Sequence, residues 1–311
     1  MLDVEPRNAI SRARHLPPTM ARLGRFLLER FPPESYGPLI VSLVAGGWTA
    51  ASLAAGQRLA VGWNGAVALL AVTLAFLQLR TLDELRDEEV DRLGRPGRPL
   101  PRGLVTVAEL HALAVVSAFA GVVVAASLGV VPFAWYAAAL VSIWFLGLGL
   151  PSRLGFRGGI VWTALLHSVL VPEVLLFTWA AADGPPGGAA LAAAIALVWG
   201  AGLAMEVGRK TLTPGEERPG VETYSGELGR RRALAFACLP IAAGCLGAGG
   251  LAVAVGSATA TWIVPFTAAG VVPLLILGLG DRIGTAALRS ASSALVLCLL
   301  LWPLVISLGV P

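Results

Sequence analysis

Charge and cysteine are both scarce in this chain. Only 14% of its 311 residues are Asp, Glu, Lys or Arg, against roughly a quarter in soluble globular domains, while 56% are apolar. The mean hydropathy is +0.77. A soluble domain of this length cannot hide so much apolar surface, because even large domains bury only about three-quarters of what the unfolded chain exposes. The composition excludes a soluble enzyme and calls for a bilayer. The three cysteines, Cys238, Cys245 and Cys298, sit in apolar stretches without CxxC or comparable spacing. That argues against a disulfide framework or a zinc site and for small core residues. Lysine is nearly missing, with Lys210 the single one among 23 basic residues. The N-terminal region carries Arg7, Arg12, Arg14, Arg22, Arg25 and Arg30 but no apolar run. No cleavable signal peptide is therefore expected, and the first span should itself start insertion.

What is present is apolar sequence in membrane-length pieces. A span needs about 20 predominantly apolar residues, and nine stretches qualify: about 37–56, 61–82, 107–129, 130–150, 158–181, 187–207, 232–255, 258–280 and 287–308. Gly129 and Pro132 alone divide the third from the fourth. The expected fold is an all-α integral membrane protein, nine transmembrane helices in a single bundle over 37–311, preceded by a cytoplasmic segment at 1–36. Lys and Arg accumulate in cytoplasmic loops. With nine spans, all the basic residues but Arg58 fall on one side, which places the N terminus in the cytoplasm and Pro311 outside the cell membrane. The net charge of +4 is then a matter of topology and asks for no nucleic acid. The two long loops, at about 83–106 and 206–231, share that face, so function is expected at the cytoplasmic mouth.

Chemistry concentrates in those loops. Asp83, Asp87 and Asp91 are spaced i, i+4, i+8, which at 3.6 residues per turn puts them along one helix face with Glu84 beside them. Stacked like charges destabilise a helix by a few tenths of a kcal/mol per pair, so a cation is expected opposite. Hard divalent cations prefer oxygen ligands, and Mg2+ takes one or two carboxylates together with substrate phosphates. A solvated acidic helix end balanced by Arg80, Arg86 and Arg92 is the bland alternative. Against it stands the next segment, a Pro-rich turn carrying Arg92, Arg95, Arg98 and Arg102, whose guanidinium forks suit phosphate oxygens. A second polar cluster ends the sixth span with Glu206, Arg209 and Lys210, followed by Glu216, Glu217, Gly220, Glu222, Thr223 and Tyr224. The second and sixth spans run in the same direction, so Asp83 and Glu206 should lie at similar depth and share one cavity.

The pattern Asp83-Glu84-x-x-Asp87-x-x-x-Asp91, followed by Arg98-Pro99-Leu100-Pro101-Arg102-Gly103, resembles the first aspartate-rich motif and the RPLPxG segment of the UbiA superfamily of intramembrane prenyltransferases. Gly220-x-x-Thr223 with Gly229 resembles the stretch after that family's second aspartate motif. The resemblance implies a Mg2+-dependent enzyme that ionises an isoprenyl diphosphate and transfers the allylic cation to a small-molecule acceptor, expected to be aromatic or a quinone precursor. It places Asp83 at the family's usual Asn, Glu84 at its first Asp, and Asp87 and Asp91 at its next two. The implied metal ligands are Asp83, Glu84, Asp87, Asp91, Glu206 and Glu216, with Asp83, Asp87, Asp91 and Glu206 as the catalytic set. Arg95, Arg98, Arg209 and Lys210 are the implied diphosphate ligands. The second motif departs from the family, offering Glu206 and then Arg209-Lys210 where the family carries aspartates.

Deeper in the spans, Phe76 is i−7 to Asp83 and Trp199 is i−7 to Glu206, about 10 Å further along the same helix faces. Both are candidates for a prenyl chamber, since aromatic faces attract cations, and both also read as ordinary apolar bulk. Intramembrane ionisable groups are functional candidates. His167, near the middle of the fifth span, is counted with Phe76 and Trp199 in the prenyl chamber and either bonds a neighbouring helix or acts on the acceptor, and Glu173 reads as a structural hydrogen bond or an acceptor-side group. Two alternatives stay open: a membrane terpene cyclase that needs no acceptor, and, more remotely, a cation transporter. The second is disfavoured because no acidic relay crosses the membrane. The sequence fixes no oligomeric state.

Overall fold

The computed structural model describes residues 18–155, 158–217, 221–259, 262 and 284–310. No strand occurs among them. The helices, in chain order, are α1 (Thr19–Arg30), α2 (Pro33–Ala54), α3 (Trp63–Arg86), α4 (Glu88–Gly94), α5 (Val107–Ala126), α6 (Val130–Gly147), α7 (Leu150–Arg153), α8 (Ile160–Ser168), α9 (Leu170–Ala181), α10 (Ala189–Arg209), α11 (Tyr224–Leu228), α12 (Arg230–Ala254) and α13 (Thr285–Ser307). In lipid every backbone polar group must be satisfied within the protein, so apolar stretches of this length fold as helices. Eight crossings of sufficient length and apolarity are described, α8 and α9 together forming one of them. They match eight of the nine expected spans to within a few residues at most ends. The expected span at 258–280 lies almost wholly outside the described residues.

Local chemistry sets several boundaries. α5 starts with a capping box, in which Thr106 Oγ1 accepts from the Glu109 amide at 3.2 Å and Glu109 Oε2 accepts from the Thr106 amide at 2.8 Å. α5 and α6 are separated at Gly129, whose φ of 109° a side chain would resist. α10 and α12 pack most intimately through small residues, for a Cβ on Gly200 would collide with the Pro240 carbonyl and the Gly244 backbone.

Two departures from the sequence expectation bear on function. Helical hydrogen bonding is interrupted at Val169 within the fifth span while the backbone there stays in the helical region, so α8 and α9 continue as one crossing and His167 sits just before the interruption. The segment expected as a cytoplasmic tail contains α1, and the first span begins at Pro33, four residues early. α1 is amphipathic. Its Phe26 is fully buried against Leu100, Leu104, Val105 and Leu110, with Leu23 and Leu27 packed around it. The Arg-Pro-rich loop thus rests on α1, and Arg102 Nη2 donates to Glu29 Oε1 at 2.7 Å.

The motif loops meet at one end of the bundle. There α3 and α10 terminate while α2, α8 and α13 begin, joined by Arg30 to Glu84 and by the Thr213 amide to Thr285 Oγ1 at 2.8 Å. The opposite end is closed by Trp48 Nε1 donating to the Ala60 carbonyl at 3.3 Å and Trp179 Nε1 to the Pro185 carbonyl at 2.9 Å.

Candidate functional site

The first acidic motif divides into two sets that point different ways. Asp83 and Asp87 flank one guanidinium: Arg86 Nη2 lies 2.9 Å from Asp83 Oδ1, and Arg86 Nε donates to Asp87 Oδ1 at 3.1 Å. Both carboxylates remain partly accessible. Glu84, one residue and about 100° further round the helix, is only 1% exposed and faces the other side. Its Oε1 accepts from Arg30 Nε at 2.7 Å and from Arg80, with Arg98 Nη1 at 3.7 Å. Asp91 is 2% exposed and paired with Arg98, with Arg95 at 3.6 Å. Burial raises the Asp91 carboxyl above its ordinary value, against the opposing pull of Arg98.

This differs from the expected row of three aspartates with Glu84 beside it. The α-helical backbone lapses at Asp87, whose ψ is 4°, so the i+8 alignment is not kept. Glu84 is drawn to Arg30, which arrives from α1. Each is a carboxylate already neutralised by arginine. Arg95 and Arg98, expected on a diphosphate, pair instead with Asp91 and, together with Glu29 and Arg30, line an open cavity of about 390 Å³ between α1 and the loop.

The second motif is an ion triad, in which Glu206 accepts from Arg209 at 2.7 Å and from Lys210 at 2.8 Å. The first motif and the stretch after the second both reach α8, where His167 Nε2 lies 3.3 Å from Arg86 Nη1 and the Ile160 amide donates to Glu227 Oε2 at 2.9 Å, and α2, which carries Tyr36, begins at the same end. Tyr36 was missed in the sequence. It sits in the first turn of α2, ring-stacked on Phe31 at 4.3 Å, and only its place at the start of the first span would have marked it. After Lys210 the chain is folded tightly. The Tyr224 amide donates to the Lys210 carbonyl at 3.0 Å, and Glu217 accepts from the Thr223 and Ser225 hydroxyls at 2.6 and 2.5 Å. Thr223 Oγ1 caps α11 through the Gly226 amide, and Gly229, at φ 79°, ends it. Gly220 lies outside the described residues. Burial, then the nearby Glu206 charge, raises the Tyr224 phenol. Glu216 is not brought to the acidic helices. It is exposed and accepts from Thr213 Oγ1 at 2.6 Å, a bond that lowers its pKa.

His167 is closer to the first motif than its sequence position implied. Its Nδ1 faces the Thr163 carbonyl at 2.8 Å and therefore carries the proton, leaving Nε2 to accept from Arg86 Nη1 at 3.3 Å. Trp199 donates Nε1–H to Ser168 Oγ at 2.8 Å and packs against the apolar cluster of Ile160, Leu203 and Tyr224. Phe76 packs on the main core. Glu173 accepts from Ser142 Oγ at 2.8 Å.

No three His, Cys, Asp or Glu side chains among the described residues cluster to hold a metal by themselves. The donor chemistry nonetheless fits Mg2+, because Asp83 and Asp87 converge on one cationic group and Mg2+ characteristically takes one or two carboxylates, completing its shell with phosphate oxygens and water.

The model of the UbiA prenyltransferase family matches residues 40–290 of the chain. Digeranylgeranylglyceryl phosphate synthase of Sulfolobus acidocaldarius is 28% identical over 123 residues, a match covering 35% of this chain and 45% of that protein. Among solved structures, the apo form of a UbiA homolog from Aeropyrum pernix K1 is similar with a TM-score of 0.65 at 18% identity, covering 87% of this chain and 96% of that one. A UbiA homolog from Archaeoglobus fulgidus bound to DMAPP and Mg2+ gives a TM-score of 0.61 at 14% identity, covering 86% and 96%. At these identities the structural likeness is one of fold.

Proposed function

We propose, for a chain that belongs to the UbiA prenyltransferase family, that it transfers the prenyl group of an allylic diphosphate to a small-molecule acceptor in a Mg2+-dependent reaction. The observation that carries this reading is the convergence of Asp83 and Asp87 on a single cation position, at the end of the bundle where the Glu206–Arg209–Lys210 triad also lies. Asp83 and Asp87 are the residues that would hold Mg2+, and the metal supplies charge neutralisation of the departing diphosphate.

The rest follows from the chain's own residues. Arg209 and Lys210 provide charge-assisted donors for phosphate oxygens, and donors already in place where negative charge develops stabilise it without reorganisation. Glu206 orients both. The apolar bundle holds the prenyl tail and keeps water from the allylic cation, while Phe76 and Trp199 offer aromatic faces to it. Glu84 and Asp91 act through Arg30, Arg80, Arg95 and Arg98, fixing the loop rather than touching substrate. The motif end faces the cytoplasm of the cell membrane, as the basic loops require.

An aromatic or quinone-precursor acceptor is the first expectation. The name of the Sulfolobus relative favours a second class, a prenylated glyceryl phosphate. The deciding experiment incubates the purified chain in nanodiscs with dimethylallyl, geranyl, farnesyl or geranylgeranyl diphosphate and Mg2+, adding 4-hydroxybenzoate or geranylgeranylglyceryl phosphate. A prenylated acceptor in the organic phase is the expected result and identifies the class. A cyclic hydrocarbon formed without acceptor would replace transfer by cyclisation.

A further inference from the structure

Among the described residues, Arg86 is the side chain that touches both carboxylates proposed for the metal. Its guanidinium has two working edges. Nε and Nη2 face Asp87 and Asp83 at 3.1 and 2.9 Å, whereas Nη1 points away, 3.3 Å from His167 Nε2 and 3.5 Å from the Leu146 carbonyl. The contacts therefore come from three helices. α3 and its C-cap residue Asp87 supply the carboxylates, while α6 and α8 hold the far end. Two carboxylates four residues apart repel one another, and a divalent cation and a guanidinium compete to relieve that repulsion, since Arg86 already lies against Oδ1 of both Asp83 and Asp87.

We propose that Arg86 is an internal counter-cation, occupying the Asp83–Asp87 position while metal is away and, tethered by His167 and the Leu146 carbonyl, becoming a diphosphate ligand when metal takes the carboxylates. The inference rests on the Mg2+-dependent reading above and extends it. His167 thereby acquires a positioning role: as a neutral acceptor with its Nδ1 proton committed to Thr163, it holds a guanidinium without competing for the carboxylates. The arrangement keeps the membrane mouth near electroneutrality in the empty state. It also links metal occupancy to the availability of a guanidinium for phosphate, whose planar fork matches phosphate oxygens.

The test measures Mn2+ binding by electron paramagnetic resonance, using the full chain in nanodiscs without any diphosphate. Removing a cation from between the two carboxylates should tighten Mn2+ binding, so Arg86→Gln is expected to bind about tenfold more tightly than wild type. At saturating Mn2+, the same variant should bind farnesyl thiolodiphosphate about tenfold more weakly. Arg86→Lys, which keeps the charge but cannot bridge both carboxylates, should have intermediate Mn2+ affinity, and it serves as the readout if Arg86→Gln does not fold. A residue that merely braced α3 against α6 and α8 would change thermal stability and leave Mn2+ affinity alone. Wild-type or weaker Mn2+ affinity in the folded variant overturns the inference. If in that case Asp87→Asn still abolishes Mn2+ binding, the metal site itself stands. No Mn2+ binding by wild type, even with the analogue, would remove the metal reading and this inference together.

Discussion

Among the charged side chains of the motif end, those already saturated by partners do a different job from those left open. Asp83 and Asp87 are partly accessible and face Arg86, while Glu84 takes three arginines and is 1% exposed. Asp87→Asn should lower turnover by at least about a hundredfold, the scale expected when a group that binds the catalytic metal or the developing charge is removed. Asp83→Asn should keep much of the activity, since the resemblance places Asp83 where the family usually carries Asn. Steady-state rates of the two variants side by side check this, and equal loss in both would contradict it. Glu84→Ala belongs to another category. It strands Arg30, Arg80 and Arg98 around a buried site, and breaking a buried ion pair costs about 3 kcal/mol, so its thermal midpoint should fall while residual Mn2+ binding survives. The i, i+4 spacing made Asp83 and Asp87 legible in the sequence. The resemblance reads Glu84 as a ligand, whereas its ion pair with Arg30, 54 positions away, could not be read from the sequence because no local pattern announces a tertiary ion pair.

At the scale of helices, apolar length and a few punctuating residues, Gly129 and Pro132 among them, were sufficient to place eight spans. Two features escaped the reading of spans. The interruption at Val169 had a local signal in Pro172, which lacks the N–H that would bond the Ser168 carbonyl, and His167 just before it lies 3.3 Å from Arg86. α1 is short, and its docking depends on a surface made by residues 100–110. The signal was present in Leu23, Phe26 and Leu27 at i, i+3, i+4. Since Phe26 is fully buried in that contact, Phe26→Ala should cost about 3 kcal/mol locally and release the loop. Limited proteolysis should then cut faster within 94–103. Unchanged protection would mean that the loop is held by its ion pairs alone.

For the whole molecule, the segregation of basic residues is the feature that carries the topology. On the nine-span reading of the sequence, every basic residue except Arg58 is expected on the side of the motif loops. Single cysteines placed at Gly97 and Gln57 in a background lacking Cys238, Cys245 and Cys298 should be labelled by membrane-impermeant maleimide from opposite sides, Gly97→Cys from the cytoplasm. Labelling of both from one side would overturn the topology. Sequence alone could not place the two motifs against each other. That required the bundle, where α8 meets Arg86 of the first motif at His167 and Glu227, after the second, at the Ile160 amide.

The most direct test is diphosphate release and prenyl transfer by the purified wild-type chain, titrated with Mg2+ from a chelated start, beside Asp87→Asn. A Mg2+-dependent transferase is silent under chelation, recovers activity with added Mg2+, and stays inactive as Asp87→Asn throughout. Transfer that persists in chelator, or that Asp87→Asn supports at the wild-type rate, would contradict the assignment of the Asp83–Asp87 position to the reaction.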